Sequence, residues 1–202
     1  MVQNKKRGPG RPRIFDEEAV LDRAVRVFWE KGYEGASIDD LTEAMGLSRP
    51  SVYNAFGDKE ALFMRCLERY GATTGELIMG AIALATDARG AVAAYLRQAA
   101  TNATGEDTPH GCLLATVAPS VCLPGVREFL AASMAASETA LAARLSAGVA
   151  SGELPSDFPV IQRARRITDL SMSLAVRART GATREELLLD AADAAAMAMV
   201  AS

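Results

Sequence analysis

Apolar residues recur three and four positions apart over most of the chain, and polar residues fill the positions between them. This period matches the turn of an α-helix, whereas a half-buried strand alternates every second residue. Runs of β-branched residues are few, while alanine and leucine are abundant. The pattern predicts an all-α protein.

The first predicted helix begins at Asp16 and ends at Gly32. The Asp16 side chain can accept hydrogen bonds from the free N–H groups of the first turn, and the two acids that follow suit the positive end of the helix dipole. An apolar stripe that ends at Phe28 faces inward. Glycine favours the left-handed backbone that often terminates a helix, which places the end at Gly32.

Two short helices are predicted next, joined by a tight turn. Ser37 followed by Asp40 is a capping-box-like start for the second helix, and Gly46 closes it. The third opens at Ser48, and Pro50 falls in its first turn, where the missing N–H costs nothing. Two short helices around a glycine turn are typical of a helix-turn-helix.

Glycine and proline divide the rest of the chain into four further helices, covering approximately residues 89–104, 125–148, 158–180 and 184–201. No Gly/Ser linker is long enough to separate two independent domains. We therefore expect two subregions that share a helix.

Composition narrows the class of protein. The chain has 202 residues, half of them hydrophobic, and a net charge of -3. It contains no stretch of 18 uncharged apolar residues and no signal-peptide pattern, and its three cysteines are too scattered for a disulfide framework. We expect a cytoplasmic protein without a membrane segment, a metal or a cofactor.

The segment "GYEGASIDDLTEAMGLSRPSVYNAFGDKEALF", residues 32–63, resembles the DNA-binding region of the TetR family of bacterial transcriptional regulators. The order of its aromatic, small, Gly-turn, Tyr, Phe and Lys-Glu positions agrees with that family, and the likeness covers roughly residues 15–70. The resemblance implies a three-helix head, a fourth helix from about Asp58 and a homodimer. It divides the chain into an arm (1–14), a DNA-binding head (15–70) and a helical body for effector binding and dimerisation (71–202).

The resemblance also implies which residues meet operator DNA. Tyr53 and Lys59 would hold phosphates, although Tyr53 can also be read as one more half-buried aromatic. Ser37 would meet a phosphate at the start of the second helix, where exposed N–H groups favour an anion. The groove-facing residues of the third helix would be Arg49, Pro50, Ser51 and Asn54.

The N-terminal arm is basic, since residues 1–15 carry five lysines and arginines and no acid. Such termini are often disordered tails. Its centre, Gly10 to Arg13, is similar to the Gly-Arg-Pro core of AT-hook segments, in which arginines enter a narrow A·T minor groove. We therefore expect Arg11 and Arg13 to contact DNA.

The body is larger than a three-helix head requires for its own stability. Small and apolar residues recur at helix-face spacing in its last two helices, which by itself usually indicates intrachain core. The family resemblance favours instead a four-helix dimer interface. The expected interface residues are Ala164, Ile167, Ser171, Leu174, Ala178, Leu188, Ala192, Ala195 and Met199.

An effector pocket is expected among the helices between residues 77 and 134. Its apolar character favours a hydrophobic or amphipathic small molecule. The expected lining residues are Leu84, Tyr95, Leu96, Leu113, Val117 and Phe129.

The segment "PHGCLLATVAPSVC", residues 109–122, holds the single histidine and two of the cysteines. These do not complete a structural zinc site, and a buried cysteine commonly behaves as a small hydrophobe. If Cys112 begins a helix, the dipole would favour its thiolate, so a redox or electrophile sensor is a second hypothesis.

No catalytic motif is present: there is no P-loop, GxSxG or HExxH, and one histidine does not make a triad. The sequence thus predicts a transcriptional repressor, not an enzyme, that a small effector releases from double-stranded operator DNA. The alternatives are a thiol-based sensor and, less favoured because of the large apolar body, an architectural DNA-packaging protein.

Overall fold

The computed structural model describes residues 15–200, and every regular element in that part of the chain is helical. A single 3₁₀ turn at Ala118–Ser120 lies between the sixth and seventh α-helices of this part. The all-α prediction is confirmed. The helices are α1 (Glu17–Gly35), α2 (Ile38–Met45), α3 (Arg49–Phe56), α4 (Lys59–Ala83), α5 (Ala88–Ala103), α6 (Leu113–Thr116), α7 (Pro124–Ala150), α8 (Val160–Arg179) and α9 (Arg184–Ala198).

Local hydrogen bonds set the ends of α2 and α3 as predicted. The Ser37 hydroxyl accepts from the Asp40 N–H at 3.1 Å, and the Ser37 N–H donates to the Asp40 carboxylate at 2.9 Å. Gly46 ends α2 with a φ of +65°, a conformation that few L-residues adopt. Ser48 then caps α3, with Pro50 in the first turn. The helix-turn-helix therefore depends on side chains within four residues of each helix end.

The end of α1 differs from the prediction. Gly32 has a φ of +76° and interrupts the helix, but one further turn follows it, so that α1 extends to Gly35. The break leaves carbonyl groups of the preceding turn without intrahelical donors. The predicted stop at Gly32 is thus a kink, and carbonyls of the turn before it accept hydrogen bonds from a residue of the body.

The first three helices and the start of α4 enclose one hydrophobic core. Phe28 and Phe63 meet edge to face at its centre, with ring centroids 4.9 Å apart. Leu113, Val117 and Val126 enter the same core from beyond α5. The head is therefore packed against part of the body, and the division at residue 70 stays a prediction.

A second core fills the body. Its centre is α5, whose Ala91, Tyr95, Leu96 and Ala100 are buried between α4, α8 and α9, with α7 packed beside α8. The long helix α4 joins the two cores, since Leu67 is buried in the first and Ile82 in the second. A displacement at either end of α4 therefore reaches the other core.

Candidate nucleic-acid interface

Helix α3 presents one polar face to solvent and buries the opposite one. Val52 and Phe56 are almost fully buried in the head core. Helical spacing places the exposed residues on the other side of the helix, where no described residue covers them. These exposed residues are Arg49, Pro50, Tyr53 and Asn54.

Arg49 is held by an acid across the turn. Its Nε and Nη2 atoms donate to Asp39 Oδ1 at 2.9 and 2.6 Å, and Nη2 also donates to Oδ2 at 2.6 Å. These hydrogen bonds raise the pKa of the Arg49 guanidinium above its ordinary value. Asp39 lies in the first turn of α2. The predicted turn brings α2 and α3 together, but the sequence carries no direct signal that Asp39 and Arg49 pair across it.

Tyr53 and Lys59 flank this face in different ways. Tyr53 is about half exposed (48 %). The Lys59 ammonium lies 4.6 Å from the centroid of the Tyr33 ring. Burial, with the nearby acids, raises the pKa of Tyr33, so that this ring stays neutral beneath the cation.

Ser37 and Ser51 are both engaged in capping. The Ser37 hydroxyl donates to Asp40 Oδ2 at 2.8 Å, and Ser51 shares a hydrogen bond of 2.9 Å with Ser48. Lys31 also binds Asp40 at 2.6 Å, and this bond, with the N–H of Ser37, holds the pKa of the Asp40 carboxyl well below its usual range. The Ser37 hydroxyl is therefore already engaged. What Ser37 would offer a phosphate is its exposed position at the start of the helix.

Ion pairs fasten α1 to α4. Arg69 donates from Nε and Nη2 to the Asp22 carboxylate at 2.8 and 3.0 Å, and from Nη1 to Glu18 at 2.8 Å. Arg65 binds Glu17 on the same pair of helices. These ion pairs therefore join the head to the first half of α4.

Arg179, the last residue of α8, links the body to α1. Its Nη2 atom donates to the carbonyl of Trp29 at 2.9 Å and to that of Glu30 at 3.3 Å. Both carbonyls lie just before the kink at Gly32, at the negative end of the helix dipole, where a cation is favoured. About 150 residues separate the partners, so no local pattern predicts this contact.

The six residues expected to line an effector pocket do not surround one cavity. Leu84 is exposed (87 %) at the end of α4, while Tyr95 and Leu96 are packed inside the body core. Leu113 and Val117 belong to the head core, and Phe129 packs against that core. The expectation is corrected because these side chains are already covered by protein or face solvent.

The expected dimer interface also needs correction. Six of its nine residues are buried within the single chain, because α8 and α9 turn this stripe toward α5. Ser171 is half-buried and hydrogen-bonds the Tyr95 hydroxyl at 3.1 Å, and Leu188 packs partly against the same core. Only Ala192 is exposed. The six buried residues are Ala164, Ile167, Leu174, Ala178, Ala195 and Met199.

Cys112 is partly buried and immediately precedes α6. That helix has only four residues, so it supplies little dipole. The Cys112 thiol lies beside the Tyr70 hydroxyl, and burial, with this neighbouring thiol, raises the pKa of Tyr70 well above its ordinary value. Cys66 is fully buried and Cys122 is exposed.

Other predictions lie outside this surface. Arg11 and Arg13 lie outside the described residues. Between residues 15 and 200, no group of three or more His, Cys, Asp or Glu side chains is arranged to hold a metal ion. No helix in the same part is long and apolar enough to cross a membrane.

Sequence comparison assigns the family. Residues 20–66 match the family described as "Bacterial regulatory proteins, tetR family". The repressor ComR of Escherichia coli K12 is 32 % identical over 194 residues, which cover 93 % of this chain and 90 % of ComR. The chain belongs to the TetR family. It is a DNA-binding transcriptional regulator and not an enzyme.

Solved structures agree with this assignment. A cysteine mutant of the TetR family regulator CifR, complexed with 26-bp operator DNA, is 36 % identical with a TM-score of 0.84, over 92 % of this chain and 98 % of CifR. FadR of Bacillus subtilis, solved with stearoyl-CoA, is 16 % identical with a TM-score of 0.74, over 91 % of this chain and 98 % of FadR. The FadR likeness concerns the fold alone.

Proposed function

We propose that the protein is a homodimeric repressor that binds a specific operator through α3 and leaves it when a small molecule binds the body. The observation that carries the proposal is the α3 face, where Arg49, Tyr53 and Asn54 are exposed on a helix held by buried Val52 and Phe56. A face of this kind fits the major groove, where side chains read base edges. The relatives ComR and CifR, a repressor and an operator-bound regulator, support this role.

On DNA, Arg49 is the proposed base reader and Tyr53 and Lys59 the proposed phosphate contacts. A guanidinium can donate two parallel hydrogen bonds to guanine O6 and N7, as it does here to Asp39. Arg49 must therefore exchange Asp39 for a base. Phosphate contacts position the head without reading sequence. Arg11 and Arg13 remain proposed minor-groove contacts beside the half-site.

For the dimer, we propose the outward faces of α8 and α9 in place of the buried stripe. Large apolar side chains are exposed along both helices, at 48–67 % of their surface. These side chains are on two helices that pack against each other, and burying them against a second copy would remove apolar surface from water. The exposed residues are Ile161 and Val176 on α8, and Leu189, Met197 and Val200 on and after α9.

Release would follow from a change in the separation of the two heads. Half-sites one DNA turn apart, about 34–36 Å, require a matching distance between the two α3 helices. A ligand that binds better to a conformer with another separation lowers DNA affinity by its differential affinity. Helix α4 and the Arg179 contact are the connections that would transmit the change.

The test is selection of operator DNA from a pool of random duplexes by the full chain, followed by footprinting on the genome of origin. We expect an inverted repeat and a few discrete protected sites near promoters. Broad coverage without sequence preference would instead favour the architectural alternative and overturn the proposal.

Thiol sensing stays a second candidate because Cys112 contacts Tyr70, which lies where the head core meets the body. Oxidation or alkylation of this sulfur would break the contact at that junction. If the hypothesis holds, mild peroxide or a quinone releases wild-type protein from operator DNA but leaves Cys112→Ser bound. An equal response of both proteins would mean that Cys112 only packs against its neighbours and does not sense oxidants.

A further inference from the structure

A cavity of about 440 Å³ lies between the head and the body. Its walls come from α1, from the middle of α4, and from the end of α5 with the connection that follows it. This volume is within the range of small-molecule sites, about 300–1,000 Å³. The cavity is not the one expected from the sequence, since none of the six residues predicted to line a pocket belongs to it.

The floor of the cavity is apolar and its rim is polar. Trp29 and Tyr70 meet edge to face in the floor, with ring centroids 5.1 Å apart, and Leu77 extends it along α4. Threonine side chains, including Thr73 and Thr108, lie around the opening. An apolar enclosure with a few polar groups is the usual form of a site for a small organic molecule.

Two buried donors in the lining residues have no acceptor. Trp29 Nε1 and Asn102 Nδ2 are covered from solvent, and neither has a hydrogen-bond partner among the described residues. The orientation of the Asn102 amide follows from Gln98, whose Nε2 donates to Asn102 Oδ1 at 2.7 Å. Native proteins rarely leave buried donors unpaired, and both of these belong to residues that line the same cavity, so an acceptor bound there would satisfy them.

The charges near the opening do not exclude an anion. The Asp22 carboxylate is already held by two atoms of Arg69. Arg26 has a loose ion pair with Glu30, at 3.9 Å, and both side chains are about half exposed. Asp107 also lies at the rim. The exposed and loosely paired Arg26 beside the cavity allows the ligand to be a carboxylate as well as a neutral carbonyl.

We propose that this cavity binds a small, mainly apolar molecule bearing a carbonyl or carboxylate oxygen, which accepts hydrogen bonds from Asn102 Nδ2 and Trp29 Nε1. Both nitrogens are covered, so the oxygen reaches them when the Asn102 amide or the indole ring rotates toward the cavity. The inference that this molecule is the effector rests on the proposed function. The binding site itself does not.

Because of its position, the cavity would bring a bound molecule into contact with both the DNA-binding head and the body. Trp29 lines the cavity with its ring, while its backbone carbonyl accepts the Arg179 hydrogen bond from α8. Asn102 lines the same cavity from the end of α5. A molecule held between α1 and α5 would therefore bear on the position of α1 relative to the body, and with it on the head that carries α3.

The single tryptophan of the chain gives a direct measurement. In ¹⁵N-labelled full-length protein without DNA, one indole N–H cross-peak reports on Trp29. Three probes of similar size are titrated: acetophenone, benzoate, and ethylbenzene, which lacks the oxygen and controls for ring-current shifts. We expect a saturable downfield shift with acetophenone, benzoate or both, and a smaller, different shift with ethylbenzene. A response to acetophenone alone assigns a neutral carbonyl, and a response to benzoate assigns a carboxylate.

A variant distinguishes the contribution of the amide donor to binding from that of the apolar lining. Asn102→Leu keeps the side-chain size and removes the amide, so we expect about 10-fold weaker binding of the oxygen-bearing probe and unchanged binding of ethylbenzene. Thr139→Val, on α7 outside the cavity, is the matched control. If Asn102→Leu does not fold, as judged by circular dichroism, Asn102→Ala replaces it.

Three results overturn the site: no probe moves the indole cross-peak, ethylbenzene binds as tightly as acetophenone and benzoate, or Asn102→Leu binds as wild type does. Different outcomes decide whether the proposed function fails. A probe that binds here without lowering operator affinity supports the site and counts against release through it. Release of operator DNA by a probe that leaves the indole unmoved overturns the site and leaves the proposed function intact.

Discussion

The guanidinium of Arg49 at the start of α3 forms a two-pronged ion pair with the carboxylate of Asp39 in the first turn of α2. Both side chains are more than half exposed, at 58 % and 71 %. The proposed base reader is therefore neutralised in the DNA-free protein, in the geometry that a guanine would later provide. In the proposed DNA complex, Asp39 would compete with DNA for the same donors.

Asp39→Asn should make binding to non-specific DNA tighter. Loss of an exposed ion pair frees Arg49, and we expect an increase of about 2- to 5-fold with a smaller ratio between operator and scrambled duplex. Fluorescence anisotropy on both duplexes measures it. Glu43→Gln, an exposed acid on α2, removes the same charge without touching Arg49. An equal effect of both variants would mean that only net charge matters.

Tyr53→Phe and Lys59→Ala should weaken binding to operator and scrambled duplex alike, because phosphate contacts carry no sequence information. Lys59→Ala should also reduce the slope of log affinity against log salt by about one unit. Arg49→Ala is the contrasting variant, since it should relax base preference as well. If Tyr53→Phe and Lys59→Ala leave both affinities and the slope unchanged, their assignment to phosphates is wrong.

Leu189→Glu and Met197→Glu should separate the dimer while leaving each chain folded. Both side chains are about two-thirds exposed, so a carboxylate there is tolerated in the monomer and excluded only from an apolar interface. Light scattering and circular dichroism measure the two properties. Gln162→Glu controls for added charge on α8. Ala195→Glu, by contrast, should unfold the body, because Ala195 is in the core. Intact dimers in both surface variants would place the interface elsewhere.

Arg179→Gln should loosen the head from the body. It removes charged hydrogen bonds to the carbonyls at the end of α1, and we expect a loss of about 1–2 kcal/mol in the free energy of unfolding. Thermal denaturation measures it. Arg177→Gln is the matched control in the same turn, where the guanidinium pairs with Asp190 instead. Equal losses in the two variants would show that the contact with α1 adds nothing specific.

Removal of residues 1–13 should weaken operator binding and make its salt dependence shallower, because fewer counterions are released. The loss should be larger on operators with A·T flanks, where a narrow minor groove attracts arginine. Titrations at several salt concentrations on A·T- and G·C-flanked duplexes measure both effects. An unchanged slope would leave the arm as a tail without a DNA contact, and a change independent of the flanks would remove the minor-groove assignment.

The sequence by itself determined the elements and the family. Ser37 with Asp40, Gly46, and Ser48 with Pro50 are signals that act within four residues, so they mark the ends of α2 and α3 before any tertiary contact forms. The exposed face of α3 follows from the same helical period, because Val52 and Phe56 can only be the buried side of so short a helix. The candidate DNA contacts on α3 were therefore visible in the sequence.

Tertiary structure decided which face of α9 is buried, which partner each arginine takes, and where the cavity lies. Helix α9 is apolar around much of its circumference, so the stripes through Ala195 and through Met197 fit helical spacing equally well, and only packing on α5 distinguishes them. Arg179 donates a hydrogen bond to the carbonyl of Trp29, which lies about 150 residues earlier in the chain. Hydrogen bonds at helix ends are local and can be read from a few residues, whereas the burial of a stripe or a cation depends on helices that are distant in the chain.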